Sequence, residues 1–226
     1  MHAIRSLAIL SVAVLSGALP VGCGSGDDTN GLILAPKDFP EATEYLLFPD
    51  ARGLGRSLVE TLETMVFQPP ECKAPRQEEA QLMLESDVTI AEAKTPASTY
   101  YATILVERSA ITPSLIEEMY LGTCSSAVAI RTINGQPAES SAYELTQTTG
   151  PDGISADHVL VIEQTATTTS MFPQDTSPPQ MLYSRTGYAW IGPYFVILEQ
   201  SGAELPPELR AEFDHLFRIA IAKVPQ

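Results

Sequence analysis

Cysteine and histidine supply many nucleophiles, acid–base groups and metal ligands, and this sequence of 226 residues has three of each. They are Cys23, Cys72 and Cys124, and His2, His158 and His215. Neither a His-x-x-x-His nor a Cys-x-x-Cys spacing occurs, so the sequence gives no support for a zinc site. Asp157 precedes His158, but adjacent residues of a strand point to opposite faces. We therefore expect no metal, no cofactor and no catalytic histidine.

Other patterns that carry chemistry are also missing. The sequence contains no Gly-x-Ser-x-Gly nucleophile motif and no phosphate-binding P-loop. Two pairs of carboxylates, Glu78-Glu79 and Glu117-Glu118, fall in segments with a helical pattern. We expect both pairs to lie on solvated helix faces.

Aromatic side chains cluster in the segments that have a strand pattern. Five of them could line a ligand groove: Tyr100, Tyr183, Tyr188, Trp190 and Tyr194. Tyrosine offers both an apolar ring face and a hydroxyl, which suits a lipid, a glycan or a peptidoglycan fragment. The same residues could instead fill the interface between helices and a sheet. The sequence leaves both interpretations open.

The first 22 residues have the pattern of an export signal. Arg5 is the only lysine or arginine before Cys23, and residues 7–15 form an apolar run of about nine residues, the length of a signal-peptide core. A membrane-spanning helix needs about 20 apolar residues. Because Ser16 and Gly17 interrupt the run, we expect residues 1–22 to be removed after export.

The segment Pro20-Val21-Gly22-Cys23 resembles the lipobox of bacterial lipoproteins. The resemblance implies cleavage before Cys23 and acylation of its sulfur, which would anchor the protein on the extracytoplasmic side of the cell membrane. One acyl chain binds a bilayer reversibly, whereas two or more hold it stably. The alternative is an ordinary cleaved signal with Cys23 left as a free thiol. We expect residues 23–36 to be a flexible tether and residues 37–226 to be one folded domain.

Acylation of Cys23 would leave Cys72 and Cys124 as the remaining thiols. Outside the cytoplasm two such cysteines favour a disulfide, and both lie beside chain reversals. Two buried free thiols are the alternative.

The formal net charge of −15 limits the possible partners. Nucleic-acid binding requires lysines and arginines that displace counterions, so nucleic acid is not expected. The partners that remain are the membrane, through the N-terminal lipid anchor, and an envelope lipid, glycan or protein. With 44% hydrophobic residues, the chain beyond the tether can bury the core of a single domain.

The first half of the domain mixes helical and strand patterns. Apolar residues at helical spacing predict a helix from Leu54 to Val66, ended by Pro69-Pro70. A short helix is expected near residues 76–83, followed by two strands within residues 87–109. Thr112 and Pro113 are typical of an N-cap and a first helical position, and predict a short helix that ends near Gly122.

The second half has mostly strand patterns. Asn134-Gly135 predicts a type I′ hairpin, because both residues tolerate a positive φ. Later strands are expected in residues 158–169 and 181–200, with a turn near Gly187 and a bulge or edge at Gly192-Pro193. An amphipathic helix over residues 205–224 closes the chain. This order predicts an α+β fold, with a mostly antiparallel sheet packed against N-terminal and C-terminal helices.

Several of these features together resemble a class of actinobacterial, mycobacterial-type cell-envelope lipoproteins of unknown function. They are the lipobox, the tether, a first helix ending at Pro70-Glu71-Cys72, a second cysteine after a short helix, and the C-terminal helix. The class is similar in style to the PknH-type extracellular sensor domain. The resemblance implies an antiparallel sheet flanked by helices, with a ligand groove, and brings no set of catalytic residues.

These observations lead to a predicted function. We expect a membrane-anchored, non-enzymatic ligand-binding or sensor domain in the cell envelope. The alternative is an envelope hydrolase or transferase whose site consists of acidic and tyrosine residues.

Overall fold

The computed structural model of the chain describes residues 31–106 and 111–225, without the side chains of residues 105 and 106. The strands within these residues are β1 (Glu44–Phe48), β2 (Met65–Gln68), β3 (Val88–Lys94), β4 (Thr99–Val106), β5 (Ser126–Ile133), β6 (Gln136–Thr148), β7 (His158–Ser170), β8 (Gln180–Ile191) and β9 (Tyr194–Gly202). The α-helices are α1 (Arg52–Glu63), α2 (Lys73–Glu85), α3 (Pro113–Tyr120) and α4 (Pro207–Ala222).

All nine strands belong to one antiparallel sheet, in the order β1-β3-β4-β9-β8-β7-β6-β5-β2. Consecutive strands from β5 to β9 pair as hairpins, and β4 pairs with β9. The predicted α+β fold with an antiparallel sheet is therefore confirmed.

Helices cover both faces of the sheet, because each central strand has apolar residues on both sides. On one face α1, α2 and α3 pack over a core that includes Leu62, Ile116 and Phe195. On the other face α4 and the segment before β1 pack over a core that includes Phe213 and Phe217. We call these the three-helix face and the α4 face.

A side-chain cap begins α3, and a disulfide connects α2 to the turn after α3. The Thr112 hydroxyl accepts a hydrogen bond from the Leu115 backbone nitrogen at 3.2 Å, as its predicted N-cap position requires. Cys72, directly before α2, forms a disulfide with Cys124, which lies in the 3₁₀ turn that follows α3. The predicted disulfide is therefore present, and it joins the start of one helix to the turn after the other.

The hairpin turns follow the sequence at one position and depart from it at another. Asn134 and Gly135 have φ values of 53° and 74°, which confirms the predicted tight turn. The turn expected near Gly187 is wrong, because β8 continues through this residue and reverses at Gly192, where φ is 49°. Gly187 serves packing instead, since a Cβ there would lie 2.7 Å from the Phe217 ring.

Two element boundaries also differ from the prediction. The first helix ends at Glu63, and Met65–Gln68 is a strand that pairs with β5. Residues 33–36, placed in the tether by their position, belong to the fold, since Ile33 and Leu34 are almost fully buried on the α4 face. The folded domain therefore includes Ile33 and Leu34, which precede the predicted start at residue 37.

The helices within the described residues lack the combination of length and hydropathy that a bilayer-spanning helix requires.

Candidate functional site

A small polar cavity lies on the three-helix face, between α1–α3 and the centre of the sheet. Its volume is about 60 Å³. The apolar lining residues are Leu58, Met83, Leu145, Ile162 and Ile197. The polar lining residues are Glu79, Tyr101, Thr103, Tyr120, Gln164, Ser184, Thr186, Tyr188 and Glu199. The half-buried members of this set, among them Leu58, Tyr101 and Gln164, mark its side nearest to solvent.

Polar residues form the sheet side of the cavity because strand register aligns them. Tyr101 on β4 is paired with Glu199 on β9, and Glu199 is paired with Thr186 on β8. Glu92 on β3 continues the same row beside Tyr101. Glu92 and Glu199 are only 4% and 8% exposed, so two carboxylates are buried within one row of the sheet. The Tyr101 hydroxyl is hydrogen-bonded to Glu92. The Glu92 carboxylate also forms an ion pair with Lys94, with 3.0 Å between Lys94 Nζ and Glu92 Oε1.

The helix side of the cavity is built on the inner stripe of α2. Arg76, Glu79, Ala80 and Met83 are its buried residues, and they recur at three- and four-residue spacing. Glu79 and Met83 line the cavity, while Ala80 fills the helix–sheet interface. The stripe therefore places one carboxylate in an otherwise apolar layer.

The Glu79 carboxyl lies almost fully buried at the cavity wall. The residue is 5% exposed. Burial raises the pKa of this carboxyl to about 7, and the charge of Arg76 opposes that rise. Near neutral pH Glu79 thus exchanges between a neutral and a charged form.

Arg76 lies beside the cavity in an aromatic cage. Its guanidinium carbon is 4.9 Å from the ring centroids of both Tyr120 and Tyr143, and 5.5 Å from that of Phe67. Its Nη2 atom donates a hydrogen bond to the Tyr143 hydroxyl at 3.0 Å. Within the described residues, Nε and Nη1 have no hydrogen-bond partner. The cation is therefore held mainly by ring faces and by the nearby carboxylate charge.

Two tyrosines complete the polar surface on the α3 side. The hydroxyls of Tyr120 and Tyr188 are hydrogen-bonded to each other, and their ring centroids are 6.1 Å apart. Burial raises the pKa of both phenols, with a further contribution from the negative charge of Glu79. Both stay neutral at physiological pH and can donate or accept hydrogen bonds.

The aromatic residues predicted to form a groove lie on opposite faces of the sheet. Tyr188 lines the cavity, and Trp190 lies on the same face, where its Nε1 atom donates to the Ile111 carbonyl oxygen at 2.7 Å. Tyr100 and Tyr194 belong to the α4 face, and so does Tyr183 by strand alternation. The five residues therefore do not form one groove, and most of them pack in the cores.

The structure also shows where the other residues considered in the sequence analysis lie. His158 and His215 are exposed and do not line the cavity. Glu78, Glu117 and Glu118 are exposed as expected, but Glu79 is buried, so the expectation for this residue is wrong. The reason is helix periodicity, which puts Glu79 in line with Cys72, Arg76 and Met83. Cys23 lies outside the described residues.

Sequence reasoning missed Glu79 and Glu199, although a signal for each was present. Glu199 follows Phe195 and Ile197 at two-residue spacing in a strand whose other face holds Val196 and Leu198. An acidic residue in a strand that is apolar on both faces is out of pattern, and such exceptions tend to mark functional sites.

The donor set of the cavity suits hydrogen bonding and charge recognition. None of the lining residues is a histidine, cysteine, lysine or arginine. Within the described part of the chain, no group of three or more histidine, cysteine or acidic side chains is placed to hold a metal ion. The cavity therefore presents carboxylates, hydroxyls, one amide and apolar walls to any occupant.

Comparison with known proteins gave matches among solved structures alone. No protein-family model matches the chain, and no curated protein matches it. The extracellular domain of PknH from Mycobacterium tuberculosis is similar with a TM-score of 0.48 and 7% identity, over 86% of this chain and 93% of that domain. A Mycobacterium smegmatis protein, the Rv0999 ortholog, is similar with a TM-score of 0.41 and 13% identity, over 72% of this chain and 77% of its own. Because both TM-scores are below 0.5, neither structure bears on the function of this chain.

Proposed function

We propose that this protein is a non-enzymatic binding or sensor domain, anchored by lipid to the extracytoplasmic side of the cell membrane, and that it binds a small ligand in the cavity of the three-helix face. The observation that carries the proposal is the Glu79 carboxyl, which is only 5% exposed and lines the cavity together with Glu199.

The energetics of burial support a binding role. A buried polar group without a partner costs about 1–3 kcal/mol, and an ionised one costs more. Glu79, Glu199 and three tyrosines meet at one cavity in a layer that apolar residues could fill. Burial in this layer disfavours the charged form of Glu79, so its ionisation costs free energy. A ligand that hydrogen-bonds to Glu79 would offset this cost.

The face on which the described chain begins supports a defined orientation on the membrane. Ile33 and Leu34 pack on the α4 face, so the chain enters the fold on the side opposite the cavity. The segment from Cys23 to Asn30 can span at most about 28 Å. An acyl anchor at Cys23 would hold the α4 side nearer to the bilayer and leave the cavity open to the periplasmic or extracellular space.

A cavity-filling variant tests the binding role. Ser184 is buried at the cavity wall, so Ser184→Leu should fill the space and still fold. Thr165→Leu is the matched control, because Thr165 is next to the lining residue Gln164 but points to the opposite face. Small-molecule extracts of the cell envelope should raise the melting temperature of wild type and Thr165→Leu, but not that of Ser184→Leu. Equal responses of all three proteins would refute the cavity as the binding site.

Two carboxylates at one cavity also favour a second candidate, an envelope hydrolase. Glycoside hydrolases use a pair of carboxyl groups on either side of the bond that is cleaved. A cavity of about 60 Å³ is too small to enclose two sugar rings, which makes this candidate weaker. Hydrolysis of an envelope glycan that is lost in both Glu79→Gln and Glu199→Gln, and retained in Glu78→Gln, would establish it.

A further inference from the structure

We infer that the ligand of this cavity is a small organic ammonium ion, a compact primary amine of about four to six non-hydrogen atoms. This inference rests on the proposed binding function and names the chemical class of its ligand.

The charges at the cavity favour a cationic ligand. Glu79 and Glu199 line the cavity, and none of the lining residues carries a positive charge. Arg76 is the nearest buried cation described, but it faces the rings of Phe67, Tyr120 and Tyr143 and is not a lining residue. The formal net charge of −15 also raises the local concentration of cations around the whole protein. An anionic ligand would be repelled both by the carboxylates of the cavity and by the net negative charge of the protein.

The residues that line the cavity suit an ammonium ion better than a metal ion. No group of three or more metal-binding side chains occurs in the described residues. An ammonium group needs three hydrogen-bond acceptors, and carboxylate, hydroxyl and amide oxygens line this cavity. The apolar side chains of Leu58, Met83 and Ile162 provide surface for methylene groups, which a metal ion does not have.

The volume of the cavity limits the size of the ligand. One water molecule requires about 10–15 Å³ of cavity volume. A cavity of about 60 Å³ therefore accommodates roughly four to six non-hydrogen atoms. Ethanolamine has four, and its neutral analogue ethylene glycol has the same number in the same arrangement.

Binding of the ammonium ion is coupled to loss of a proton from Glu79. The protonated carboxyl releases its proton to solvent, and the resulting carboxylate pairs with the ammonium group, so charge and protons balance. The charged and titratable groups around Glu79 are Arg76 on α2, Tyr120 on α3, Tyr188 on β8 and Glu199 on β9. The two phenols remain neutral between pH 6 and pH 8 because burial raises their pKa values. Affinity should therefore rise with pH and level off above about 7.

The experiment uses the full chain with ¹³C-labelled methionine methyl groups. Met83 lines the cavity and reports on binding, whereas Met171 and Met181 are exposed and serve as internal controls. Ethanolamine, which stays protonated over this range, is titrated at pH 6 and pH 8, and ethylene glycol is titrated in parallel. Glu79→Gln is compared with Glu78→Gln, its exposed neighbour on the same helix.

The inference predicts a saturable shift of the Met83 signal with ethanolamine and none with ethylene glycol. The dissociation constant should fall about tenfold from pH 6 to pH 8, as expected for a carboxyl with a pKa of about 7. Glu79→Gln should bind at least tenfold more weakly and lose the pH dependence, while Glu78→Gln should match wild type.

Three results would overturn the inference in distinguishable ways. Equal shifts with ethanolamine and ethylene glycol would show a site for neutral hydroxyl compounds, and the proposed binding function would stand. If amines leave Met83 unmoved and the envelope extracts still stabilise wild type over Ser184→Leu, the amine class is wrong and the binding function stands. If neither amines nor extracts act on the cavity, both proposals fail.

Discussion

At the scale of single residues, the cavity depends on a glutamate in a place that usually holds an apolar side chain. Glu79 shares its helix stripe with Ala80 and Met83, and burial raises its pKa to about 7. In the unfolded chain the same carboxyl has a pKa of about 4.3. The folded state therefore binds an extra proton between these two values, so folding stability depends on pH through this residue.

Glu79→Gln should make the protein more stable at pH 8 than wild type. The raised pKa means that the contribution of Glu79 to stability is fully present below pH 4 and is lost as the pH rises through about 7. Glutamine has no such loss. The free energies of unfolding of the variant and of wild type should be measured in urea at pH 5 and pH 8. The difference, variant minus wild type, should be about 2–3 kcal/mol larger at pH 8 than at pH 5.

Glu78→Gln is the control for this comparison, because Glu78 is exposed on the same helix. Its difference from wild type should stay constant over the same pH range. An equally constant difference for Glu79→Gln would mean that the Glu79 carboxyl is not buried as described.

At the scale of secondary-structure elements, the disulfide controls the helices that carry Glu79 and Tyr120. Cys72 and Cys124 close a loop with a sequence separation of 52 residues, which corresponds to about 4 kcal/mol in the chain-entropy description. The double variant Cys72→Ser/Cys124→Ser should lower the free energy of unfolding by about 2–4 kcal/mol. Urea unfolding under identical conditions measures this. No change in stability would contradict the structural role of the bond.

Packing of α4 on the sheet should depend on the missing side chain of Gly187. A Cβ at this position would lie 2.7–2.9 Å from three atoms of the Phe217 ring, which is fully buried. Gly187→Ala should therefore lower the free energy of unfolding by about 1–3 kcal/mol, as measured by urea unfolding. Gly53→Ala is the control, because nothing lies within 4 Å of that position on the exposed start of α1. Similar stability of the two variants would contradict the close α4 contact.

Most elements could be predicted from sequence, because capping and turn residues act locally. Thr112, Pro113 and Asn134-Gly135 gave the start of α3 and the β5–β6 turn. The errors occurred where tertiary pairing overrides local pattern. Met65–Gln68 has a spacing that also suits a helix, and it becomes a strand by pairing with β5.

The candidate site was less predictable than the fold. Its residues come from four strands at the centre of the sheet, the β6 edge of that group and three helices, so no short motif contains them. Register decides that Tyr101, Glu199 and Thr186 are neighbours, and register is not readable from one strand alone. The groove interpretation of the aromatic residues fails for the same reason, since alternation separates Tyr183 from Tyr188.

At the scale of the whole molecule, Ile33 and Leu34, near the start of the described residues, pack on the face of the sheet opposite the cavity. Cys23→Ser should abolish incorporation of an alkyne palmitate analogue and should release the protein from the membrane fraction. The fold should be unchanged, because the described domain begins after Cys23. Labelling that persists in the variant, or that is missing from wild type, would contradict lipid anchoring.

The most direct test of the account is the titration of the Glu79 carboxyl by ¹³C nuclear magnetic resonance, with and without ethanolamine. We predict a midpoint at a pH of about 7 for the free protein, because burial raises the pKa of this carboxyl more than the charge of Arg76 lowers it. Saturating ethanolamine should lower the midpoint by at least one pH unit, since the ammonium group stabilises the carboxylate. A midpoint below pH 5 in the free protein, or one that ethanolamine leaves unchanged, would contradict the account.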